Sequence, residues 1–172
     1  LEAERGLFDI ADQSGMEVVC IRPTLVYGSG AKGNFSTLLW LVKQRIPLPL
    51  AGATNNRRSL VALGNLVDLL IRCIEHPKAG NQTFLVSDGE DVSTADLICR
   101  IGHALGQRAL LINIPLSILE IVAKVFGKTE EAQRLLTSLQ VDISKTCELL
   151  DWKPPLSLDD GLDAAVNQRI TS

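Results

Sequence analysis

The chain has 172 residues, 46% of them hydrophobic and 22% charged, the proportions of a folded globular protein rather than a disordered one. Its formal net charge is -3, from 17 Lys and Arg against 20 Asp and Glu, with no basic run. That balance excludes a surface built to neutralise a phosphate backbone, and nucleic acid with it as a partner. Four scattered cysteines, Cys20, Cys73, Cys99 and Cys147, each in an apolar run and none in a CxxC pair, read as reduced core thiols.

The first residues, Leu1 to Ala11, carry helical spacing at Leu7, Phe8 and Ile10/Ala11, and Ser14-Gly15 supplies a stop. No initiating Met and no N-cap precede the pattern, so the expectation is a chain that begins inside a helix as a piece of a longer protein. Glu17 to Pro23 is a short β-branched run ending in Arg-Pro, followed by a loop to Gly30. It predicts a fully buried strand whose carboxyl end opens on irregular backbone, where open parallel sheets bind ligands. Asn34 to Gln44 predicts a helix with Leu38, Leu41 and Val42 on one face. Pro47-Leu48-Pro49-Leu50 cannot be a central strand and reads as an edge or pocket wall.

The turn-rich stretch Ala51 to Asn56 delivers a strand at Arg57 to Val61. Asn65 then caps a helix to about Glu75, with Asp68 in a capping-box position and Leu66, Leu69, Leu70 and Cys73 buried. A strand at Gln82 to Val86 ends in the turn Ser87 to Glu90, and Ser93 opens a helix that Gly106 terminates. Further elements are a short strand at Leu110 to Ile112, a helix from Pro115 through Phe126, a second from Glu130 to Leu139, and a third from Ser144 to Leu150. Ser157 to Asp160 caps a last helix carrying Leu162, Ala165 and Val166. The apolar tract 109–126 is broken by Asn113, Pro115, Ser117, Glu120 and Lys124, too polar for a transmembrane helix. No secretory leader is visible, so a cytoplasmic location is the default.

Few residues offer chemistry on their own. His76 and His103 have no Cys, Asp or Glu at ligand spacing, which argues against a metal. There is no GxSxG elbow, P-loop or GxGxxG. Arg57 and Arg58, arriving on a strand beside a Gly/Asn-rich loop, have the fork that grips phosphate, or are a solvent-exposed pair. Arg22 reads as a buried residue that orders its strand end. Tyr27 reads as packing, since no lysine follows four residues later.

In order along the chain, these pieces resemble the extended short-chain dehydrogenase/reductases of the nucleotide-sugar epimerase/dehydratase family. Leu1 to Glu4, the strand ending Arg22-Pro23, and the loop Val26-Tyr27-Gly28-Ser29-Gly30 look like the family's middle segment. Asn34-Phe35 is similar to its substrate-helix start, Pro47 to Gly52 to its proline-rich edge, and Arg58 to Asn65 to its segment leading into a capped helix. Phe84 to Ser93 is similar to its strand and glycine turn. Val141 to Lys145, followed by Leu149-Leu150-Asp151-Trp152-Lys153-Pro154, is similar to its C-terminal segment.

The resemblance implies an α/β fold: the C-terminal part of a Rossmann-type protein, with one or two core strands and a small mixed α/β substrate-binding region. Residues 1–33 would be the tail of the NAD-binding domain and 34–172 the substrate-binding region, with a strand-helix element at about 58–80 returning to the core. It places the dinucleotide-binding glycines and a catalytic Tyr-x-x-x-Lys pair ahead of Leu1, so no catalytic residue falls in this chain. A tyrosine whose phenol is acidified by the lysine and the nicotinamide charge would remove a sugar hydroxyl proton as hydride leaves to NAD.

Within this chain the resemblance implies that Pro23 lies near the nicotinamide. Arg58, Asn34 and Phe35 would hold the nucleotide diphosphate, and Pro49 and Ala51 would form the wall under the base. Leu25 stands where the family usually has a substrate-contacting asparagine. The second phosphate arginine has no clean counterpart, and Arg134 is the nearest residue. The whole protein would be a homodimeric UDP-sugar 4-epimerase of surface-polysaccharide pathways, the alternatives being a dehydratase or reductase, an epimerase of a lipid-diphosphate-linked sugar, or a non-catalytic nucleotide-binding or interaction protein. The piece alone would be inactive and would self-associate.

Overall fold

A computed structural model of the chain describes residues 2–30, 33–115 and 136–167. Helix α1 (Glu2–Ser14) stops at Gly15, whose φ of 71° lies in the left-handed region that a C-terminal stop needs. Strand β1 (Val19–Pro23) pairs in parallel with β4 (Gln82–Val86), in register from Val19 opposite Gln82 to Pro23 opposite Val86. One residue further on, β2 (Leu25–Tyr27) joins a different sheet, parallel to β3 (Arg58–Ala62), which pairs antiparallel with β5 (Asp91–Val92). Between the strands run α2 (Asn34–Lys43), α3 (Leu63–Glu75) and α4 (Thr94–Ala104), followed by α5 (Ser144–Leu150) and α6 (Leu158–Asn167).

Two apolar cores match the two sheets. One gathers Tyr27, Phe35, Leu38, Leu39, Leu60 and Ile98 with the buried face of α6, and so binds β2, β3, α2, α4 and α6. The other gathers Val61, Leu69, Phe84, Val86, Leu150 and Trp152, binding α3 and α5 to β4. Helix α3 lies against β3 and β2, and its Leu69 and Cys73 share the second core with Val61 of β3 and with Phe84 and Val86 of β4. Because side chains alternate along a strand, Leu60 enters the first core and Val61 the second.

Several local expectations need correction. Of β1 only Cys20 is buried, because among the described residues a single neighbouring strand covers it. Arg22 is exposed and paired with Glu4 of α1, its Nε donating to Oε1 at 2.9 Å. On α2 the buried face is Phe35, Leu38, Leu39 and Val42, which turns Leu41 partly outward. Helix α3 begins at Leu63, so Asn65 lies inside its first turn instead of capping it, and Leu70 is exposed. Asp68 is spent on the buried Trp152, whose indole N–H donates to it at 2.6 Å.

Leu110 to Ile112 forms a single bridge, Leu111 to Leu48, and Pro47 lines a groove beside it, so the 47–50 segment is paired only locally. The helix through Phe126 and most of that from Glu130, with Arg134, lie outside the described residues. Leu139 is not helical: it forms a bridge to Arg58. All four cysteines are free, but Cys99 is exposed.

Candidate functional site

Helix α2 meets the amino ends of β2 and β3, just past the carboxyl end of β1, and a narrow cleft opens there. Leu25, Asn34, Phe35, Leu38, Arg58, Thr94 and Leu97 line it. Four residues singled out from sequence, Leu25, Asn34, Phe35 and Arg58, are thus brought together from three elements. The cleft measures about 30 Å³. Ligand pockets usually occupy roughly 300–1,000 Å³, so this space takes a substituent and not a sugar ring. A wider groove of about 970 Å³, lined by Pro47, His103 and Leu110 among others, contains none of the predicted residues.

The rim of the cleft suits an anion. Helix α2 has Gly33 as N-cap, with φ 105° and no side-chain cap, so its first-turn N–H groups are not consumed by a capping side chain. Asn34 and Phe35 are the first two residues of that helix. Arg58 begins β3 half-buried, and burial pulls its pKa down, yet a guanidinium stays charged throughout the physiological range. Arg57 faces elsewhere: its Nη1 donates to the carbonyl oxygens of Thr54 at 2.9 Å and Asn56 at 3.0 Å. The fork of Arg57 therefore holds its own loop.

Helix α4, whose residues Thr94 and Leu97 close the cleft, contrasts with α2. Its leading N–H groups are all used: Thr94 donates to Asn56 Oδ1 at 3.1 Å, Ala95 to the Ala53 carbonyl at 3.1 Å and Asp96 to Ser93 Oγ at 3.1 Å. The predicted wall residues Pro49 and Ala51 flank the buried Leu50 on the segment leading into this loop. Neither lines the cleft. Pro23 is exposed at the carboxyl end of β1, and Thr24 beside it donates through both N and Oγ1 to the Val86 carbonyl. That exposed end can serve as one wall for a dinucleotide. Among the described residues no cluster could hold a metal.

Sequence reasoning missed the knot beneath the cleft. Tyr27 is fully buried, 5.4 Å from the Phe35 ring centroid, and its phenol donates to Asp88 Oδ2 at 2.7 Å and to the Leu158 carbonyl at 3.2 Å. Asp88 Oδ1 accepts from the Ala62 N–H at 2.8 Å and from Asn65 Nδ2 at 2.7 Å. Asn65 also donates to the Leu156 carbonyl and accepts from its N–H, both at 2.9 Å. Burial pushes the Tyr27 phenol and the Asp88 carboxyl upward, the first reinforced by the Asp88 charge and the second opposed by its three donors. The available signal was an aspartate two residues past a strand and an asparagine inside an apolar helix.

The parallel pairs β1–β4 and β2–β3, with helices packed against them, make this an α/β protein of the Rossmann type. The chain belongs to the NAD dependent epimerase/dehydratase family, which matches residues 1–87. It is 51% identical over 160 residues to the UDP-glucose 4-epimerase of Vibrio cholerae, covering 93% of this chain and 49% of that protein. Solved structures with the same fold include the UDP-glucose 4-epimerase of Thermotoga maritima with UDP-glucose, at TM-score 0.70 and 20% identity, covering 99% of this chain and 52% of that one. Another is the UDP-N-acetylglucosamine 4-epimerase of Bacillus cereus, at TM-score 0.72 and 17% identity, covering 94% and 52%. The chain spans about half the length of the curated relatives it matches. No helix among the described residues is long and apolar enough to cross a membrane.

Proposed function

We propose that the protein, at its full natural length, is an NAD-dependent UDP-sugar 4-epimerase to which this chain contributes the substrate-side walls. The observation that carries this reading is the meeting of Arg58 with the uncapped start of α2 at one cleft, an arrangement matched to a diphosphate. The likeness to the Vibrio cholerae enzyme supports the reaction type. Residues 1–33 would belong to the cofactor side and 34–172 to the substrate side.

The chain's own part is binding and orientation. Arg58 and the α2 N–H groups fix the diphosphate at the mouth, Asn34 offers its amide to the same group, and Leu25 and Phe35 keep the floor dry. Holding the diphosphate while leaving the sugar free to turn is what exposure of either face to the cofactor requires. NAD, when bound past Pro23, supplies reversible oxidation at the sugar carbinol. On the same family likeness, the protein would act in the cytoplasm, as a homodimer, on sugars destined for surface polysaccharide.

Two measurements test the reading. The full-length protein with NAD should interconvert UDP-glucose and UDP-galactose or their N-acetylated counterparts, followed by chromatography. A charge-assisted contact contributes roughly 1.5–3 kcal/mol, so Arg58→Ala should weaken UDP binding by about ten- to a hundredfold in calorimetry. Unchanged UDP affinity would remove Arg58 from the site, and product that has lost water would make the enzyme a dehydratase.

A further inference from the structure

The groove of about 970 Å³ is a separate feature, walled by the last turns of α4 and by the segment 106–112. That segment runs beside the stretch that follows α2. Leu48 N–H donates to the Leu110 carbonyl and Ile112 N–H to the Leu48 carbonyl, both at 2.8 Å, and Gln107 Nε2 donates to the Val42 carbonyl at 2.6 Å. Side chains alternate along such a paired segment, so Ala109 and Leu111 pack on the first core while Arg108, Leu110 and Ile112 turn outward. Leu110 is 45% exposed and Ile112 46%, two large aliphatic side chains standing in water at an open groove.

The charges around them are of one sign. Lys43, Arg45 and Arg108 are exposed, and none of the three enters an ion pair among the described residues. Arg45 is kept beside the segment by its Nε, which donates to Gln107 Oε1 at 3.2 Å. No Asp or Glu occurs from residue 18 to 67 or from 97 to 119, although the chain as a whole has more acids than bases. Both stretches that build this face fall inside those acid-free runs. Asp159 and Asp163 line a different groove, shared with Arg100 and His103, and mark where the basic face ends.

We propose that this face docks on an anionic membrane surface, with Lys43, Arg45 and Arg108 on lipid phosphates and the tips of Leu110 and Ile112 in the acyl boundary. Exposed aliphatics bordered by unpaired cations are the composition of an interfacial contact, which needs no spanning helix. A soluble phosphate would answer the cations and leave the aliphatics in water. The proposal stands apart from the nucleotide-sugar reading, since it shares no residue with the cleft.

The experiment is co-sedimentation of the full-length protein with vesicles of phosphatidylcholine alone and of phosphatidylcholine and phosphatidylglycerol in equal parts. One cation near an anionic surface strengthens binding by about fivefold, so three predict roughly a hundredfold preference for the anionic vesicles at low salt. Lys43→Ala with Arg108→Ala should cut that preference by roughly twentyfold. Leu110→Ser with Ile112→Ser should lower anionic binding by about tenfold or more with every charge in place. Thermal unfolding checks that each variant folds, and two pairs that change different chemistry guard against the loss of either. Equal binding to both vesicles, or binding to neither because the rest of the full-length protein covers this face, would overturn the proposal. Anionic binding that survives either pair of substitutions would overturn it too, by placing the contact elsewhere or reducing it to charge alone. Self-association without vesicle binding, abolished by the serine pair, would assign the face to a second copy and likewise overturn it.

Discussion

Replacing Tyr27 by Phe removes one oxygen from the centre of the fold and leaves the ring where it is. That oxygen donates to Asp88 Oδ2 at 2.7 Å and reaches the Leu158 carbonyl at 3.2 Å, with no solvent access to the residue. A buried hydrogen bond to a charged group contributes roughly 1.5–3 kcal/mol net. The packing of the ring on Phe35, at 5.4 Å, should survive. The expected loss is therefore about 2 kcal/mol, or roughly 4–8 °C in Tm for a chain of this size. Urea unfolding followed by far-ultraviolet circular dichroism measures it. A double-mutant cycle with Asp88→Asn isolates the bond: coupling of at least about 1 kcal/mol is expected, because the two groups touch. A loss under about 0.5 kcal/mol with additive single changes would refute the reasoning, and would mean that water replaces the phenol without strain.

Asp88 also predicts a pH dependence. Its folded pKa is raised by burial above the ordinary carboxylate value, so the folded chain holds that proton more tightly than the unfolded one. Its contribution is then greatest at low pH and is lost as pH rises from about 4 through the raised value; the stability of the native chain relative to Asp88→Asn should fall over that interval, and a flat difference would count against it. Gly161→Ala puts a methyl against the Tyr27 phenol and 3.0 Å from Ala62 Cβ, so destabilisation of about 1–3 kcal/mol or more is expected in thermal unfolding. Arg100 pairs with Glu90 at 2.5 Å, Asp96 at 3.1 Å and Asp159 at 3.3 Å, but the three carboxylates are exposed and the arginine is only partly covered. Arg100→Ala should cost about 1 kcal/mol or less, and the loss should shrink in high salt.

What was legible in the sequence followed from how local each signal is. Gln82–Val86 and Ser144–Leu150 appear at their expected bounds, and Ser93 caps α4 through Asp96, because a strand run, a breaker after Leu150 and a capping box are each written within a few residues. The knot was not legible in the same way. Tyr27, Asn65, Asp88 and Leu156 lie on four separate segments, and Asn65 and Asp88 carry the same residue types as an ordinary cap and an ordinary turn. Strand alternation says that Arg57 and Arg58 face opposite sides but not which one meets a ligand. The structure shows only where Arg57 goes: its Nη1 donates to the Thr54 and Asn56 carbonyls. The members of the cleft were reachable only through the order of family segments, since nothing in the spacing of Leu25, Asn34 and Arg58 brings them together.

Thr24 alone separates the last residue of β1 from the first of β2, and both its N–H and its hydroxyl are anchored to the Val86 carbonyl. Two peptide units reach at most about 7 Å, so Pro23 and Leu25 cannot move apart by more than that whatever the two sheets do. This junction works as a fixed ruler between the exposed carboxyl end of β1 and the Leu25 wall of the cleft. Any relative motion of the two sheets must therefore pivot about Thr24, with the spacing of Pro23 and Leu25 held within that reach.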